Sequence, residues 1–168
     1  SDRERLWNAA EQAETRKNST VAREYEIALP AELSAEARRE LALGLAREIS
    51  ERHGVAVDVA IHAPGREGDQ RNHHAHLLTT TRRIGPEGLG EKTRELDQKT
   101  SGEVERWRGR WAEMQNAALE RANVPERVDH RSHQRRGIEQ EATVHMGPSA
   151  TAMERRAEHQ ATREGRAY

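Results

Sequence analysis

The sequence contains no cysteine and no phenylalanine, and aromatic residues make up only 3% of its 168 positions. The lack of cysteine excludes disulfides and thiolate metal sites. No apolar run reaches membrane-spanning length and no secretory signal is present, so we expect a cytoplasmic protein that does not contact a membrane. The chain is long enough for one domain, but its core must be lean because only 33% of the residues are hydrophobic.

A strong charge of one sign is also missing. The formal net charge is −1, although the chain carries 28 lysine and arginine residues. Any affinity for nucleic acid must therefore come from local segregation of basic residues and not from the charge of the whole molecule.

The hydrophobic pattern predicts an α+β fold, in which helices cover one face of a mostly antiparallel sheet. Predicted helices cover residues 2–17, 34–52, 103–122 and 149–163, and predicted strands cover 21–29, 55–63 and the stretch after 72. The glycines between 85 and 90 predict a flexible connector. We expect one domain over residues 1–147, followed by a polar helix or extension over 148–168.

Three histidines fall within four positions, His73, His74 and His76, at the start of an apolar, β-branched stretch that predicts a strand. Alternate residues of a strand share a face, so His74 and His76 lie on one face about 7 Å apart, and His73 points to the other. Two imidazoles on one strand form half of a metal site. A solvated histidine-rich loop is the alternative interpretation.

His62 ends the preceding predicted strand, on the face that carries small residues. If the two strands pair as a hairpin, His62 converges with His74 and His76 on one face of the sheet. Three neutral imidazoles form an open site for a divalent metal, and a cation held there can polarise a phosphoryl oxygen. The third histidine favours the metal site over the solvated loop.

The pattern of these motifs resembles a known family. His74-Ala75-His76-Leu77, which follows Arg71-Asn72, is similar to the histidine–hydrophobe–histidine signature of HUH endonucleases. The wider context resembles the MobA/MobL family of conjugative relaxases. The supporting stretches occur in the same order along nearly the whole chain, at residues 22–30, 61–64, 88–92, 129–132 and 143–147.

The resemblance implies a palm-like HUH sheet without its first strand and a DNA nickase that acts at an origin of transfer. In the family a tyrosine attacks one phosphodiester, forms a 5′-phosphotyrosine bond and frees a 3′-OH, so that the strand can later be religated. The implied cofactor is Mn²⁺ or Mg²⁺ held by His62, His74 and His76. The implied partners are single-stranded DNA at the origin, accessory relaxosome proteins and a coupling protein.

Further site residues are predicted around this centre. Glu24 or Glu26 could orient a ligand imidazole from the neighbouring strand, although a solvated carboxylate is an equal alternative. Asp69 and Asn72 could hold the loop or a ligand histidine. The predicted DNA-contacting residues are basic or imidazole side chains after the histidine strand and near residue 130, namely Arg82, Arg83, His130 and Arg131.

The nucleophile is the point at which the sequence departs from the family pattern. The chain has only Tyr25, which is expected to pack in the core, and Tyr168, which matches no catalytic motif. We therefore expect the family's tyrosine to lie upstream of Ser1 and this chain alone to be inactive, as a relaxase fragment or a degenerate gene product. Two other functions remain open: a non-catalytic origin-binding remnant, and a metal-dependent hydrolase with Glu24, Glu26 or Asp69 as its base.

Overall fold

Three α-helices and five strands make up residues 1–131, the part of the chain that a computed structural model describes. The predicted helix at 149–163 and the predicted boundary at 147/148 lie outside these residues. The elements in chain order are α1 (Asp2–Ala13), β1 (Ala22–Leu29), α2 (Ala35–His53), β2 (Val57–His62), β3 (His73–Thr80), β4 (Arg82–Gly85), β5 (Gly88–Lys92) and α3 (Glu103–Arg121), with short 3₁₀ turns at Arg94–Leu96 and Lys99–Ser101 before α3.

Helix ends follow local capping chemistry. Ser1 caps α1 in a capping box with Glu4, and the Ser34 hydroxyl accepts from the backbone N–H of Ala37 at the start of α2. Gly54 ends α2 with φ 66°, a left-handed conformation that glycine adopts without steric cost. With these caps, each end of α2 lies within one residue of its predicted position.

The main sheet has three strands in the order β1–β3–β2, and both pairings are antiparallel. β3 is therefore central, and the predicted hairpin of β2 and β3 is present. The register sets His62 opposite His74 and Ala60 opposite His76. On the other side, β1 sets Glu26 opposite His76. The α+β class with an antiparallel sheet is confirmed.

Alternation along β3 separates the core from the open face. Ala75 and Leu77 have no exposed surface and pack against the apolar stripe of α2, which includes Leu45 and Ile49. Trp111 of α3 packs against the same cluster, as expected for a core tryptophan. His74 and His76 consequently lie on the face turned away from α2 and α3.

The predicted glycine connector is instead a second, two-stranded sheet. β4 and β5 pair antiparallel, with Gly85 opposite Gly88 and Ile84 opposite Leu89. Gly88 has φ 100°, which closes the tight turn that a side-chain-bearing residue would strain. The prediction of a flexible segment was wrong because glycines that permit a sharp reversal also permit a hairpin.

Helix α1 ends four residues before the predicted limit because Glu14 turns away to make ion pairs. Its side chain is 5% exposed, and its carboxylate lies 2.8 Å from Arg82 Nε and 3.0 Å from Lys92 Nζ. The hydrogen bond from Arg82, followed by that from Lys92, lowers the pKa of Glu14 to about 2 despite its burial. The end of α1 is thereby fastened to the β4–β5 hairpin.

The beginning of α1 lies against the main sheet. Arg3 Nε and Trp7 Nε1 donate to the Asp58 carboxylate at 2.5 and 3.2 Å. Asp58 shares its face with Ala60 and His62 by strand alternation, so α1 covers part of the face that carries the histidines. Within residues 1–131, no helix combines the length and apolar character needed to span a bilayer.

We predict that Glu14→Gln destabilises the protein by about 1–3 kcal/mol, because it leaves two partly buried cations without their carboxylate. Because the folded-state pKa lies below the ordinary 4.5, the contribution of Glu14 is present above about pH 4.5 and is lost as pH falls towards 2. Urea unfolding at pH 7 and pH 3 measures both effects. Glu11→Gln, at an exposed position of the same helix, is the control, with an expected change below about 0.5 kcal/mol. Equal losses for the two variants would contradict the anchoring role.

Candidate metal centre

Three imidazoles meet on the open face of the sheet. The ring centroids of His62 and His74 are 5.2 Å apart with nearly parallel planes, and those of His62 and His76 are 4.8 Å apart. The centroids of His74 and His76 are separated by 5.4 Å. One nitrogen from each ring lies within 4.8 Å of the others. The convergence expected from strand pairing is therefore present, and the metal-ligand role of the three histidines stays a prediction.

Strand register produces this cluster. His62 and His74 face each other across the β2–β3 hairpin, and His76 follows His74 on the same face two residues along β3. Ala60 lies opposite His76 and Ala28 lies opposite His74, so small side chains flank the imidazoles. His62 is exposed and the other two histidines are half-buried, which leaves the cluster open to solvent on one side.

Hydrogen bonds orient two of the rings. His76 Nδ1 lies 2.6 Å from Glu24 Oε1, and His74 Nδ1 lies 3.2 Å from the backbone carbonyl of Asn72. A carbonyl can only accept, so Nδ1 of His74 carries the proton. The same assignment for His76 makes Nδ1 the donor to the carboxylate. In the neutral form of each ring, Nε2 is then the nitrogen without a proton, and it is this nitrogen that can bind a metal.

Of the two carboxylates predicted to orient a ligand imidazole, Glu24 is the one that contacts a histidine. Glu26 lies directly across the backbone from His76, yet Glu24 makes the contact, from a diagonal position on the same face of β1. Cross-strand neighbours in the diagonal position are about 7–8 Å apart, a gap that a long Glu side chain spans. Glu24 is therefore the residue positioned to hold the His76 ring.

Asp69 and Asn72 act within the loop before β3. The Asp69 carboxylate accepts from the backbone N–H of Arg71 at 2.9 Å, and its carbonyl accepts from the N–H of Asn72 at 3.2 Å. These bonds form a turn that places the Asn72 carbonyl next to His74. Asn72 thus contacts a histidine through its main chain and not through its amide.

The donor set suits a divalent cation. Metal–nitrogen bonds of about 2.0–2.1 Å require donor atoms somewhat closer together than the present cluster, a change that small side-chain rotations achieve. Three uncharged donors leave further coordination positions open. Nitrogen ligands bind Zn²⁺ more tightly than Mn²⁺ and bind Mg²⁺ weakly, since Mg²⁺ prefers oxygen.

Tyr25 lies on the opposite face of the sheet. It pairs across from Leu77 and packs against the helix-covered core. Its hydroxyl oxygen is buried and has no hydrogen-bond partner among residues 1–131, and burial raises its pKa. The sheet thus separates this hydroxyl from the histidines. Tyr168 lies outside the described residues.

His73 also lies on the helix-covered side, as strand alternation predicts. Burial lowers its pKa, and the positive charge of Arg38 lowers it further. Its ring is not part of the cluster that His62, His74 and His76 form.

Arg82 and Arg83, two of the predicted DNA-contacting residues, lie away from the histidines. They follow the far end of β3, and Arg82 is about 20 Å along the extended chain from His76. Arg82 is paired with Glu14, and Arg83 donates to Glu95 at 3.0 Å. Their contact with DNA stays a prediction.

His130 packs against Gly109 of α3 and lies 3.6 Å from the Glu105 carboxylate. Arg131 does not belong to the compact unit that residues 1–130 form. DNA contact by either residue likewise stays a prediction.

The sequence did not indicate that α1 lies over part of the histidine-bearing face. That placement depends on Asp58, which receives hydrogen bonds from Arg3 and Trp7, more than 50 positions away in sequence. The only signal was an acidic residue on the small-residue face of β2, and such a residue is normally solvated.

Comparison with known proteins decides the family. The profile of the MobA/MobL family matches residues 1–156. The chain belongs to the MobA/MobL family. Its relatives in the family include the mobilization protein MobL of Acidithiobacillus ferridurans, which is 42% identical over 93% of this chain, and mobilization protein A of Escherichia coli, which is 33% identical over 89%.

The fold agrees with this assignment to the MobA/MobL family. A solved chain from work on the "Molecular Basis of Vancomycin Resistance Transfer in Staphylococcus aureus" is similar, with a TM-score of 0.66 and 36% identity; the match covers 78% of this chain and 68% of that one. The chain spans 49% of the length of the MobL relative and 23% of the E. coli relative.

We predict that Glu24→Gln weakens metal binding about 10–100-fold, because an amide is a poorer acceptor for the His76 N–H and no longer makes the ring more basic. Glu26→Gln is the matched control, since both residues are exposed carboxylates on the same face of β1. Isothermal titration with Mn²⁺ and Zn²⁺ measures the affinities. If Glu24→Gln and Glu26→Gln weakened binding equally, the role assigned to the His76–Glu24 hydrogen bond would be wrong.

Proposed function

We propose that this domain is the DNA-nicking module of a relaxase that acts at a plasmid origin of transfer. In this proposal His62, His74 and His76 hold Mn²⁺ or Mg²⁺ at the scissile phosphodiester, and the reaction is site- and strand-specific cleavage followed by religation. The partners we propose are single-stranded origin DNA, accessory relaxosome proteins and a coupling protein.

The observation that carries the proposal is the open three-imidazole cluster in a chain of the MobA/MobL family. The cluster lies on the face that α2 and α3 leave uncovered, and its histidines are exposed or half-buried despite the partial cover from α1, so a flexible strand of DNA can reach it. Names of relatives such as "43 kDa relaxation protein" of Salmonella typhimurium and "Conjugal transfer protein TraA" of Rhizobium radiobacter support DNA transfer as the process.

Each residue has a defined part in this chemistry. A divalent cation supplies positive charge that polarises the phosphoryl oxygen and stabilises the charge that builds up in the transition state. The three histidines hold the cation without neutralising it, because neutral imidazole adds no negative charge. Glu24 fixes the His76 ring, and the Asp69 turn fixes the His74 ring through the Asn72 carbonyl.

The attacking hydroxyl must come from a group other than Tyr25. Its oxygen is buried on the face opposite the histidines, and reaching a phosphate there would require the central sheet to open. Burial also raises its pKa, which disfavours the phenolate nucleophile. We therefore propose that residues 1–131 bind metal and DNA but do not themselves form a phosphotyrosine bond.

The test combines metal binding with cleavage. We expect wild-type protein to bind one Mn²⁺ per chain, and His62→Ala, which removes an exposed ligand without disturbing the core, to lower the affinity at least about tenfold. With supercoiled plasmid carrying the cognate origin and Mn²⁺, this chain should yield no covalent 5′-linked adduct. An adduct formed by a side chain of residues 1–131 would contradict the proposal that these residues supply no nucleophile, whereas nicking without an adduct would favour a metal-dependent hydrolase.

Tyr25→Phe tests the assignment of that residue directly. We expect unchanged metal and DNA binding and a free energy of unfolding that is equal or slightly higher, because the substitution removes a buried hydroxyl that has no hydrogen-bond partner among residues 1–131. Chemical denaturation and fluorescence anisotropy measure these quantities. A loss of DNA binding without a loss of stability would show that Tyr25 has a functional role.

A further inference from the structure

A second polar site lies at the other end of β3. A cavity of about 850 Å³ opens between the segment after α1, the start of β1, the end of β3 and the β5 strand with its following turn. Thr81, one residue beyond β3, lines it. It is therefore separated from the histidine cluster by most of the length of the central strand.

The lining of this cavity has an excess of positive charge. Five cations contribute to it against three carboxylates, in a molecule whose overall net charge is −1. The cations are Arg16, Arg23, Arg82, Lys92 and Arg94. Such local segregation of charge is what the composition requires of any surface that attracts a polyanion.

Three of the cations are held by structural ion pairs. Arg82 and Lys92 share Glu14, and Arg23 forms a two-point pair with Asp97, with both contacts at 2.7 Å. The guanidinium of Arg23 also donates to the hydroxyl and carbonyl of Thr93. These ion pairs hold one side of the cavity in place. They engage Glu14 and Asp97, two of the three carboxylates that line it.

Arg16 and Arg94 are different. Both are exposed, and neither side chain forms an ion pair within residues 1–131. Arg94 acts on Asp97 only through its charge, and the carboxyl of Asp97 is already bound by Arg23. Two guanidinium groups that form no ion pair within the described part of the chain therefore line the same cavity.

Neutral donors complete the lining. Hydroxyl and amide side chains follow α1 at Thr15, Asn18, Ser19 and Thr20. A backbone hydrogen bond from Ser19 N–H to the Arg16 carbonyl at 3.1 Å folds this segment into a turn, which brings these groups near Arg16. Guanidinium groups beside hydroxyls are a donor set that matches phosphate oxygens.

We propose that this cavity binds a backbone phosphodiester of single-stranded DNA, at a distance of several nucleotides from the phosphodiester at the histidines. This inference rests on the proposed function, since it assigns a second contact for the same DNA strand. Arg16 and Arg94 supply the charged hydrogen bonds, and the ion pairs around Glu14 and Asp97 hold the wall in place. A phosphate contact of this kind fixes the position of the strand without reading its sequence.

Binding of a labelled, mixed-sequence single-stranded oligonucleotide at several salt concentrations tests the proposal. We expect Arg16→Gln combined with Arg94→Gln to weaken binding and to reduce the slope of log K against log salt by about 0.7 for each phosphate that the protein no longer neutralises. The matched control is Arg39→Gln with Arg47→Gln, which removes two exposed arginines from α2 and should leave the slope unchanged. Replacing Arg16 and Arg94 by lysine should retain most of the slope, because the charges remain.

Several outcomes would overturn the proposal. Equal slopes for the glutamine pair and the α2 control would do so, as would the absence of binding to single-stranded DNA by the wild-type protein. Equal thermal protection by inorganic phosphate and by the oligonucleotide would assign the cavity to a free anion instead. If the glutamine pair lowers Tm, the two single substitutions give the slopes separately.

Mn²⁺ titration of the same variants separates this proposal from the function at the histidines. If the Arg16→Gln/Arg94→Gln variant binds Mn²⁺ normally and its salt slope equals that of the wild type, only the proposal that the cavity binds DNA is wrong. If the wild-type protein binds no Mn²⁺ but the Arg16→Gln/Arg94→Gln variant has a smaller salt slope, the proposed metal-dependent function is wrong. The cavity would still be a DNA contact.

Discussion

The antiparallel pairing of β2 with β3 is the constraint on which the candidate site depends. It sets His62 opposite His74 and leaves His76 on the same face. A slip of one residue would turn β3 over, which would place imidazoles against α2 and send Ala75 and Leu77 to solvent. Because those two residues have no exposed surface, the core fixes the register that assembles the cluster.

The two faces of the sheet differ in role: one packs in the core, and the other carries the candidate metal ligands. Apolar contacts from α2 and α3 stabilise one face, where Tyr25 is buried. The other face carries the histidines and, through Asp58, supports α1. Glu14 then fastens the end of α1 to β4 and β5, and the polar cavity forms around that junction. Long-range ion pairs thus connect polar elements that the apolar core does not contact.

Much of this arrangement could be predicted from the sequence because it depends on local rules. Ser34 and Gly54 are capping residues, so they fix both ends of α2. Strand alternation identified His62 as a partner of His74 and His76 and excluded His73. The features that could not be predicted depend on residues far apart in sequence. The end of α1 depends on the ion pair between Glu14 and Arg82. The hydrogen bond of His76 to Glu24 rather than Glu26 depends on how far each side chain extends between neighbouring strands.

The positions of the charged side chains depend most on contacts between residues that are far apart in the sequence. Arg82 and Arg83 follow the histidine strand directly, but an extended strand carries them away from the cluster and into ion pairs with Glu14 and Glu95. Arg16 and Arg94 of the polar cavity, which form no ion pair within residues 1–131, are 78 positions apart and belong to no motif. Their proximity results from the docking of α1 against the β4–β5 hairpin, which hydrophobic periodicity does not encode.

The most direct test of the central claim is anomalous diffraction from a crystal of the Mn²⁺-bound protein. The account predicts one ion between His62, His74 and His76, bound through Nε2 of His74 and of His76, with Glu24 still hydrogen-bonded to Nδ1 of His76. A crystal with no ion at the three histidines, or with the ion held elsewhere, would contradict it.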